Sequence, residues 1–181
     1  VRDDQGNILY FEGTLTDITE AHELSRQLSY EASHDALSGL INRREFEIRL
    51  QRALDAAQAT GTSHAICYLD LDQFKIINDT CGHVAGDELI RQLAQLLQSR
   101  VRSNDALARL GGDEFGLLLQ DCSMADAVGI ANTLLRAVEQ YQFVWGASTF
   151  TVGASIGVVP LSGNFRRITQ VLQAADAACY A

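Results

Sequence analysis

Two apolar segments joined by the turn Gly-Gly-Asp-Glu constrain the fold more than any other feature of this sequence. The first runs from Asp105 to Leu110 and the second from Phe115 to Leu119. Because glycine tolerates the backbone angles of a tight turn, the pattern predicts a β-hairpin and at least one antiparallel strand pair. Helical and strand-like segments alternate through the rest of the chain, which predicts an α+β fold with helices around a mixed sheet.

The helices are indicated by their end signals as well as by apolar periodicity. Asn42 with Glu45 three residues later predicts a capped helix start, and Gly61 predicts the end of that helix. Ser123 with Asp126 predicts a second capped start. Two more helices are expected, one over about 85–99 and one from about residue 166.

Strands outside the hairpin are predicted from apolar runs. Residues 65–69 form a continuous apolar segment that ends in Asp70, which is typical of a buried core strand. Apolar residues alternate with small ones from Phe150 to Val158, which predicts a strand with one buried face. Residues 143–145 and 149–150 are expected to frame a turn at Gly146.

The charge balance excludes some functions. Lys and Arg total 14 against 23 Asp and Glu, giving a formal net charge of −9. A surface this acidic repels nucleic acid and anionic membrane, so neither is expected as a partner.

The four cysteines, Cys67, Cys81, Cys122 and Cys179, form no C-x-x-C pair, and no apolar run has transmembrane length. We therefore expect the cysteines to be reduced thiols and this segment to lie in the cytoplasm. This expectation is compatible with a membrane tether in a region of the full-length protein outside this chain.

Two acidic clusters occur where the chain is expected to reverse. Asp70 and Asp72 end the core strand, and Asp113 and Glu114 lie in the hairpin turn. Carboxylates brought together repel unless a cation neutralises them, and oxygen ligands suit Mg²⁺. Spacing alone also permits the simpler interpretation that these acids cap turns and face water. No P-loop motif and no dinucleotide-binding glycine motif occurs.

Five motifs resemble, in order, those of one family. They are Asp70-Leu-Asp-Gln-Phe-Lys-Ile-Ile-Asn-Asp79, Gly82-His-Val-Ala-Gly-Asp87, Arg109-Leu-Gly-Gly-Asp-Glu-Phe115, Ala154-Ser-Ile-Gly157 and Ala175-Asp-Ala-Ala-Cys-Tyr180. From about His34 to Ala181 the chain resembles GGDEF domains, the diguanylate cyclases that join two GTP molecules into cyclic di-GMP. Ser38 stands where Thr is usual and keeps the hydroxyl. The resemblance implies a five-stranded, mixed or antiparallel sheet flanked by helices, the ferredoxin-like palm of nucleotidyl cyclases.

The resemblance also implies a set of site residues. Asp70, the Leu71 carbonyl and Asp113 would hold Mg²⁺ or Mn²⁺ against the GTP phosphates. Asp113 and Glu114 would be catalytic, with Glu114 either behind the ligands of the first metal or a ligand of a second metal. The substrate contacts implied are Asn78 and Asp87 on guanine, Phe74 and Lys75 on phosphate, and Gly111 and Gly112 where the ligand approaches the backbone. The ordinary alternatives are a turn for Asn78, a helix N-cap for Asp87 and a solvated charge for Lys75.

The activity implied is the Mg²⁺-assisted attack of one GTP 3′-hydroxyl on the α-phosphate of another, across a two-fold homodimer, with release of pyrophosphate. A catalytically silent GGDEF domain, which binds GTP or cyclic di-GMP and regulates an attached EAL phosphodiesterase or another partner, is the alternative. A pure dimerisation module would explain Leu24 and Leu28 but none of the acids. Arg102 and Asp105 match an R-x-x-D site at which the product inhibits; their alternative roles are at a helix end and a strand start.

Three segments are expected along the chain. Residues 1–18 resemble the last strands of a PAS sensory domain, with a hairpin over 1–15. Residues 19–33 would be a signalling linker helix, with Asp17 as its acidic N-cap and Glu20 three residues later. Residues 34–181 would be a GGDEF domain that lacks its C-terminal end. In the family, the residues that follow include a Lys and a Gly-Arg-Asn sequence that bind phosphates. Residues 145–161 resemble GGDEF domains that precede an EAL domain.

Overall fold

The computed structural model describes residues 4–5, 17–162 and 164–179. The chain divides into two compact units, residues 1–32 and residues 33–181. The predicted hairpin over residues 1–15 lies outside the described residues, apart from a turn at Asp4 and Gln5.

Helix α1 covers Thr19–Ser33 and accounts for most of the described part of the first unit. The Asp17 carboxylate accepts a hydrogen bond from the Thr19 backbone N–H at 2.9 Å, in agreement with the predicted acidic start. Leu24 and Leu28 are 57% and 58% exposed, so the narrow apolar stripe of this helix lies on its surface. No helix among the described residues is long and apolar enough to cross a membrane.

The second unit alternates helices and strands. The helices after α1 are α2 (Arg43–Thr60), α3 (Phe74–Cys81), α4 (His83–Gln98), α5 (Met124–Glu139) and α6 (Ile168–Cys179). The strands are β1 (Ile41–Asn42), β2 (His64–Asp72), β3 (Ala106–Gly111), β4 (Glu114–Leu119), β5 (Gln142–Trp145), β6 (Ser148–Thr151) and β7 (Gly153–Leu161).

Five strands form the main sheet, in the order β1-β3-β4-β2-β7. β1 runs parallel to β3, whereas β3–β4, β4–β2 and β2–β7 are antiparallel. Strands β5 and β6 pair separately as a small two-stranded sheet. The predicted five-stranded sheet is confirmed, and it is mixed. Strand β2 is hydrogen-bonded on both sides, by β4 and by β7.

Two apolar layers cover the two faces of this sheet. Successive side chains of a strand point to opposite faces, so Ile66 and Tyr68 of β2 join the layer formed with α2 and α6. Cys67 and Leu69 join the layer formed with α4 and α5. Burying each leucine or phenylalanine side chain in these layers, instead of leaving it in water, contributes about 1.5–3 kcal/mol to the free energy of folding. Strand β2, which ends in Asp70 and Asp72, is therefore paired at both edges and covered by apolar side chains on both faces.

The predicted helix ends are confirmed where a polar side chain or a glycine sets them. The Asn42 carboxamide oxygen accepts from the Glu45 backbone N–H at 3.0 Å, and Ser123 Oγ accepts from the Asp126 N–H at 3.2 Å. Gly61 ends α2 with a left-handed φ of 71°, and its N–H donates to the Ala57 carbonyl.

The sequence interpretation was wrong at three points. Strand β2 continues to Asp72 instead of ending at Asp70, because β7 pairs with Leu71 and Asp72 beyond the last residue that β4 pairs. Phe150 lies in β6, and the long alternation starts only at Gly153. Helix α3 was not predicted, since its eight residues are too few to show a clear period.

Candidate active site

Three acidic positions meet where β2 and β4 lie side by side. Asp70 of β2 is directly opposite Glu114 of β4, and directly opposed residues of an antiparallel pair project to the same face. The Leu71 backbone N–H donates to the carbonyl oxygen of Asp113 at 3.4 Å, which joins β2 to the hairpin turn. Asp70, Leu71, Asp113 and Glu114 are thus brought together from positions more than 40 residues apart, as the sequence predicted.

The hairpin turn is held by Arg109. Its guanidinium donates twice to the Gly112 carbonyl oxygen, at 2.9 Å from Nε and 2.8 Å from Nη2. The same group reaches Asp35 through Nη1, at 3.1 Å and 3.3 Å from the two carboxylate oxygens. Gly112 has a φ of 50°, a left-handed conformation that suits glycine. The turn that carries Asp113 is therefore fixed both by its own backbone and by a side chain anchored elsewhere.

Asp35 is itself held in place. Its carboxylate accepts from the Ser38 backbone N–H at 2.8 Å and from the Ser38 hydroxyl at 2.7 Å. Burial acts to raise the pKa of Asp35, but the bonds from Ser38 and the Arg109 guanidinium outweigh it and leave that pKa below its ordinary value of 3.8. The sequence predicts no role for Asp35 or Arg109, because their contact joins positions 74 residues apart and is not visible in local spacing.

Glu114 is oriented by two neighbours on the same face of the sheet. Arg43, at the start of α2, lies 3.8 Å from its carboxylate. Burial, and then a hydrogen bond to Glu114, raise the pKa of the nearly buried Tyr68, so its hydroxyl stays protonated and donates to that carboxylate. These contacts hold Glu114 over the end of the sheet.

The donor set at this point fits a hard divalent cation. For such a cation, Asp70 and Asp113 would supply carboxylate oxygens and Leu71 a backbone carbonyl, which are the ligand types that Mg²⁺ and Mn²⁺ take. Within the described ranges no three His, Cys, Asp or Glu side chains form a ready cluster. A ligand set of two carboxylates and one main-chain oxygen leaves positions for phosphate oxygens of a substrate.

A second group of polar residues lies where α3 turns into α4. Asn78 is in α3 and Asp87 is in α4, with Gly82 between the helices donating its N–H to the Asn78 carbonyl at 2.9 Å. A Cβ atom on Gly86 would lie 2.0 Å from Asn78 Oδ1, so the Asn78 carboxamide packs directly on the backbone beside Asp87. The turn and N-cap alternatives for these two residues are therefore wrong: Asn78 is helical, and Gly82 is the N-cap of α4.

Phe74 and Lys75 open helix α3. Gln73 precedes them in a left-handed conformation with a φ of 61°, and its side chain makes no cap hydrogen bond. The first backbone N–H groups of a helix have no partner within it and attract anions. Phe74 and Lys75 thus present backbone donors and an exposed ammonium group one helix away from Asp87.

Arg102 and Asp105 lie at the far end of the β3–β4 hairpin from Asp113. Asp105 donates its N–H to the Arg102 carbonyl at 3.1 Å, which makes a turn just before β3. Both residues line a surface groove of about 630 Å³, together with Arg49 and Gln120. A six-residue strand spans about 20 Å, so this groove is separate from the acidic site.

Comparison with known proteins identifies the fold and the motifs. The family model "Diguanylate cyclase, GGDEF domain" matches residues 32–181. The chain belongs to the GGDEF family. A GGDEF-family protein of Escherichia coli K12, named probable diguanylate cyclase DgcE, is 48% identical over 167 residues, which cover 92% of this chain and 15% of that protein.

Two further relatives show the range of the family. The cyclic di-GMP phosphodiesterase PdeB of Shewanella oneidensis is 38% identical over 167 residues, 92% of this chain and 19% of PdeB. The crystal structure of the coiled coil and GGDEF domain of DgcB from Caulobacter crescentus, in complex with c-di-GMP, superposes with a TM-score of 0.84 at 27% identity, covering 91% of this chain and 87% of that one. This GGDEF chain spans less than a fifth of the length of DgcE and of PdeB.

Proposed function

We propose that this chain is a diguanylate cyclase domain that condenses two GTP molecules into cyclic di-GMP. The observation that carries the proposal is the pairing of Asp70 with Glu114, with Asp113 bonded to Leu71 in the adjoining turn. Acids at these positions are the ones that the family resemblance assigns to metal binding and catalysis. The 48% identity to a probable diguanylate cyclase supports the same activity.

The reaction forms two phosphodiester bonds. The 3′-oxygen of each GTP attacks the α-phosphorus of the other, the bond from that phosphorus to the β-phosphate bridging oxygen breaks, and pyrophosphate leaves. Bound Mg²⁺ or Mn²⁺ supplies charge neutralisation at the triphosphate. Asp113 accepts the proton of the 3′-hydroxyl, and Glu114, oriented by Tyr68 and Arg43, supports the second metal position.

Recognition of guanine is assigned to Asn78 and Asp87. A carboxylate accepts hydrogen bonds from the guanine N1–H and exocyclic amine, and a carboxamide both donates and accepts, which adenine does not match. The packing of Asn78 on Gly86 holds the carboxamide beside Asp87. Lys75 and the backbone at Phe74 contact the phosphates, and Gly111 and Gly112 leave room for the substrate at the turn.

The partners follow from the product. Cyclic di-GMP is two-fold symmetric and each domain holds one GTP, so the active species is a homodimer in which two copies face each other. Residues 19–33 form the linker that sets this pairing, after a sensory domain that ends near residue 18. The domain works in the cytoplasm, where GTP is available.

Arg102 and Asp105 form the site of product inhibition. Guanidinium pairs with phosphate or a guanine edge, and a carboxylate accepts from guanine N–H groups. The groove of about 630 Å³ that these residues line supports this assignment. Arg102→Ala is expected to remove inhibition by cyclic di-GMP without changing the initial rate, and unchanged inhibition would overturn the assignment.

One comparison favours a second candidate, a catalytically silent GGDEF domain that binds a guanine nucleotide and regulates a partner. PdeB is named for phosphodiesterase activity although this chain matches it at 38% identity. The intact Gly-Gly-Asp-Glu-Phe sequence and Asp70 favour the cyclase, because a silent domain has no need of both metal positions.

The test is incubation of the whole chain with GTP and Mg²⁺, followed by anion-exchange chromatography. The proposal expects cyclic di-GMP, and Asp70→Asn is expected to lower its rate at least about 100-fold. Asp55→Asn is the matched control, because Asp55 is an exposed acid on α2 bonded only by Gln51 in the described contacts. A dimeric chain that binds GTP and forms no product would instead support the silent regulator.

A further inference from the structure

The groove lined by Arg102 and Asp105 is also lined by Gln120, a residue to which the R-x-x-D motif gives no role. Gln120, directly after β4, donates its backbone N–H to Asp105 Oδ1 at 3.1 Å. Its side-chain Nε2 donates to the Asn104 carbonyl oxygen at 2.8 Å. One residue therefore holds both the acid of the R-x-x-D motif and the peptide that precedes it.

The segment after Gln120 is fixed to the start of β2. The Asp121 backbone N–H donates to Nδ1 of His64 at 3.1 Å, and the Cys122 N–H donates to the Ser63 carbonyl at 2.9 Å. His64 is only 6% exposed. Because its Nδ1 accepts, the neutral ring carries its proton on Nε2, which lies 3.0 Å from the Thr62 hydroxyl.

The backbone at Asp121 shows that these bonds determine the conformation of the turn. Its φ is 45°, a left-handed value that costs energy for a residue with a Cβ. The hydrogen bonds that the Asp121 and Cys122 N–H groups donate to His64 and Ser63 compensate for that cost and direct Gln120 toward residues 104 and 105. The loop that carries Asp105 is thereby linked, through Gln120, to the start of strand β2.

We propose that Gln120 is a positioning residue of the product-binding site, holding Asn104 and Asp105 in the conformation that receives cyclic di-GMP. The inference rests on the proposed product site at Arg102 and Asp105. Gln120 would act indirectly, by holding residues 104 and 105 in one conformation before the product binds. Because the loop is already ordered, it loses less conformational entropy when cyclic di-GMP binds, and the affinity is higher.

Gln120→Met tests this role, because methionine keeps the length of the side chain and removes the donor. The matched control is Gln58→Met, since Gln58 Nε2 also donates to a backbone carbonyl, that of Phe165, at 2.8 Å. Cyclic di-GMP binding is measured by isothermal titration calorimetry on the whole chain. Gln120→Met is expected to weaken binding about 3- to 10-fold, and Gln58→Met less than about twofold.

Two readouts separate positioning from a general structural role. The melting temperature and the GTP KM without product are expected to stay near those of the unchanged chain. Hydrogen exchange at the Asp105 amide, which bonds the Arg102 carbonyl, is expected to speed up in product-free Gln120→Met. Weakened binding with unchanged exchange would overturn positioning in favour of a direct contact.

The outcomes also separate this inference from the function on which it rests. Normal product binding by Gln120→Met, with weakened binding by Arg102→Ala, rejects the role of Gln120 and keeps the R-x-x-D site. Normal binding by Arg102→Ala rejects both. Absence of cyclase activity rejects neither, because product affinity is measured without turnover.

Discussion

Arg109 bonds Asp35 across 74 positions of sequence, at 3.1 Å and 3.3 Å, and the same guanidinium donates twice to Gly112. The carboxylate that Arg109 reaches lies in the segment between α1 and α2, and the carbonyl that it reaches is the one directly before Asp113. The Arg109 side chain therefore links the start of the second unit to the hairpin turn that carries Asp113.

Arg109→Lys is expected to lower cyclase activity about 10- to 100-fold. A lysine ammonium group cannot make the two coplanar hydrogen bonds that the guanidinium donates to the Gly112 carbonyl oxygen, so the turn that carries Asp113 is expected to shift. The free energy of unfolding should fall by about 1–3 kcal/mol. Steady-state kinetics and urea denaturation measure the two effects. Arg91→Lys, at an exposed pair with Glu88, is the control and should change neither.

The pKa of Asp35 predicts how stability depends on pH. It is lowered in the folded state, so the stabilisation that Asp35 provides is complete above its unfolded pKa of 3.8 and is lost as the pH falls through the folded value. Asp35→Asn should therefore be less stable than the unchanged chain at about pH 7, with a smaller difference at about pH 3. Urea denaturation at both pH values checks this, and a constant difference would contradict it.

Gly86→Ala is expected to raise the KM for GTP about tenfold or more, because its Cβ would lie 2.0 Å from Asn78 Oδ1 and displace the carboxamide. Gly129→Ala is the matched control: it is also helical, has no atom within 4 Å of the added Cβ, and should stabilise the fold by about 1 kcal/mol. Equal KM values for the two variants would argue against Asn78 as a guanine contact.

Cys67 is expected to resist alkylation in the folded protein. Burial, with smaller effects from Cys122 and Asp105, raises the pKa of its thiol to about 12, so almost no thiolate forms at ordinary pH. Cys81 is partly exposed and should react first. Iodoacetamide labelling followed by peptide mass spectrometry distinguishes the two, and early labelling of Cys67 would show that the β2 core opens.

Local signals in the sequence were sufficient for some elements. Asn42, Ser123 and Gly61 set helix ends through contacts within a few residues, so their roles are visible in spacing. The Gly111–Glu114 turn likewise specifies its own hairpin. The family motifs then indicated which acids meet at β2 and β4.

Other features depend on tertiary contact and have no local signal. Strand β1 is two residues long and exists only because it pairs with β3. The bonds from Arg109 to Asp35, and from Gln120 to Asn104, join residues far apart in sequence. Helix α3 is eight residues long and its place is set by packing on α4, where Gly86 admits Asn78.

The double pairing of β2 has a consequence for synthesis on the ribosome. The strand that carries Asp70 gains its partner β4 early, but its other edge stays open until residues 153–161 of β7 have been made. An open apolar edge invites pairing between chains, so nascent chains that stall before β7 are the species most at risk of aggregation. The last strand of the sheet thus closes the second edge of β2, which is then hydrogen-bonded on both sides.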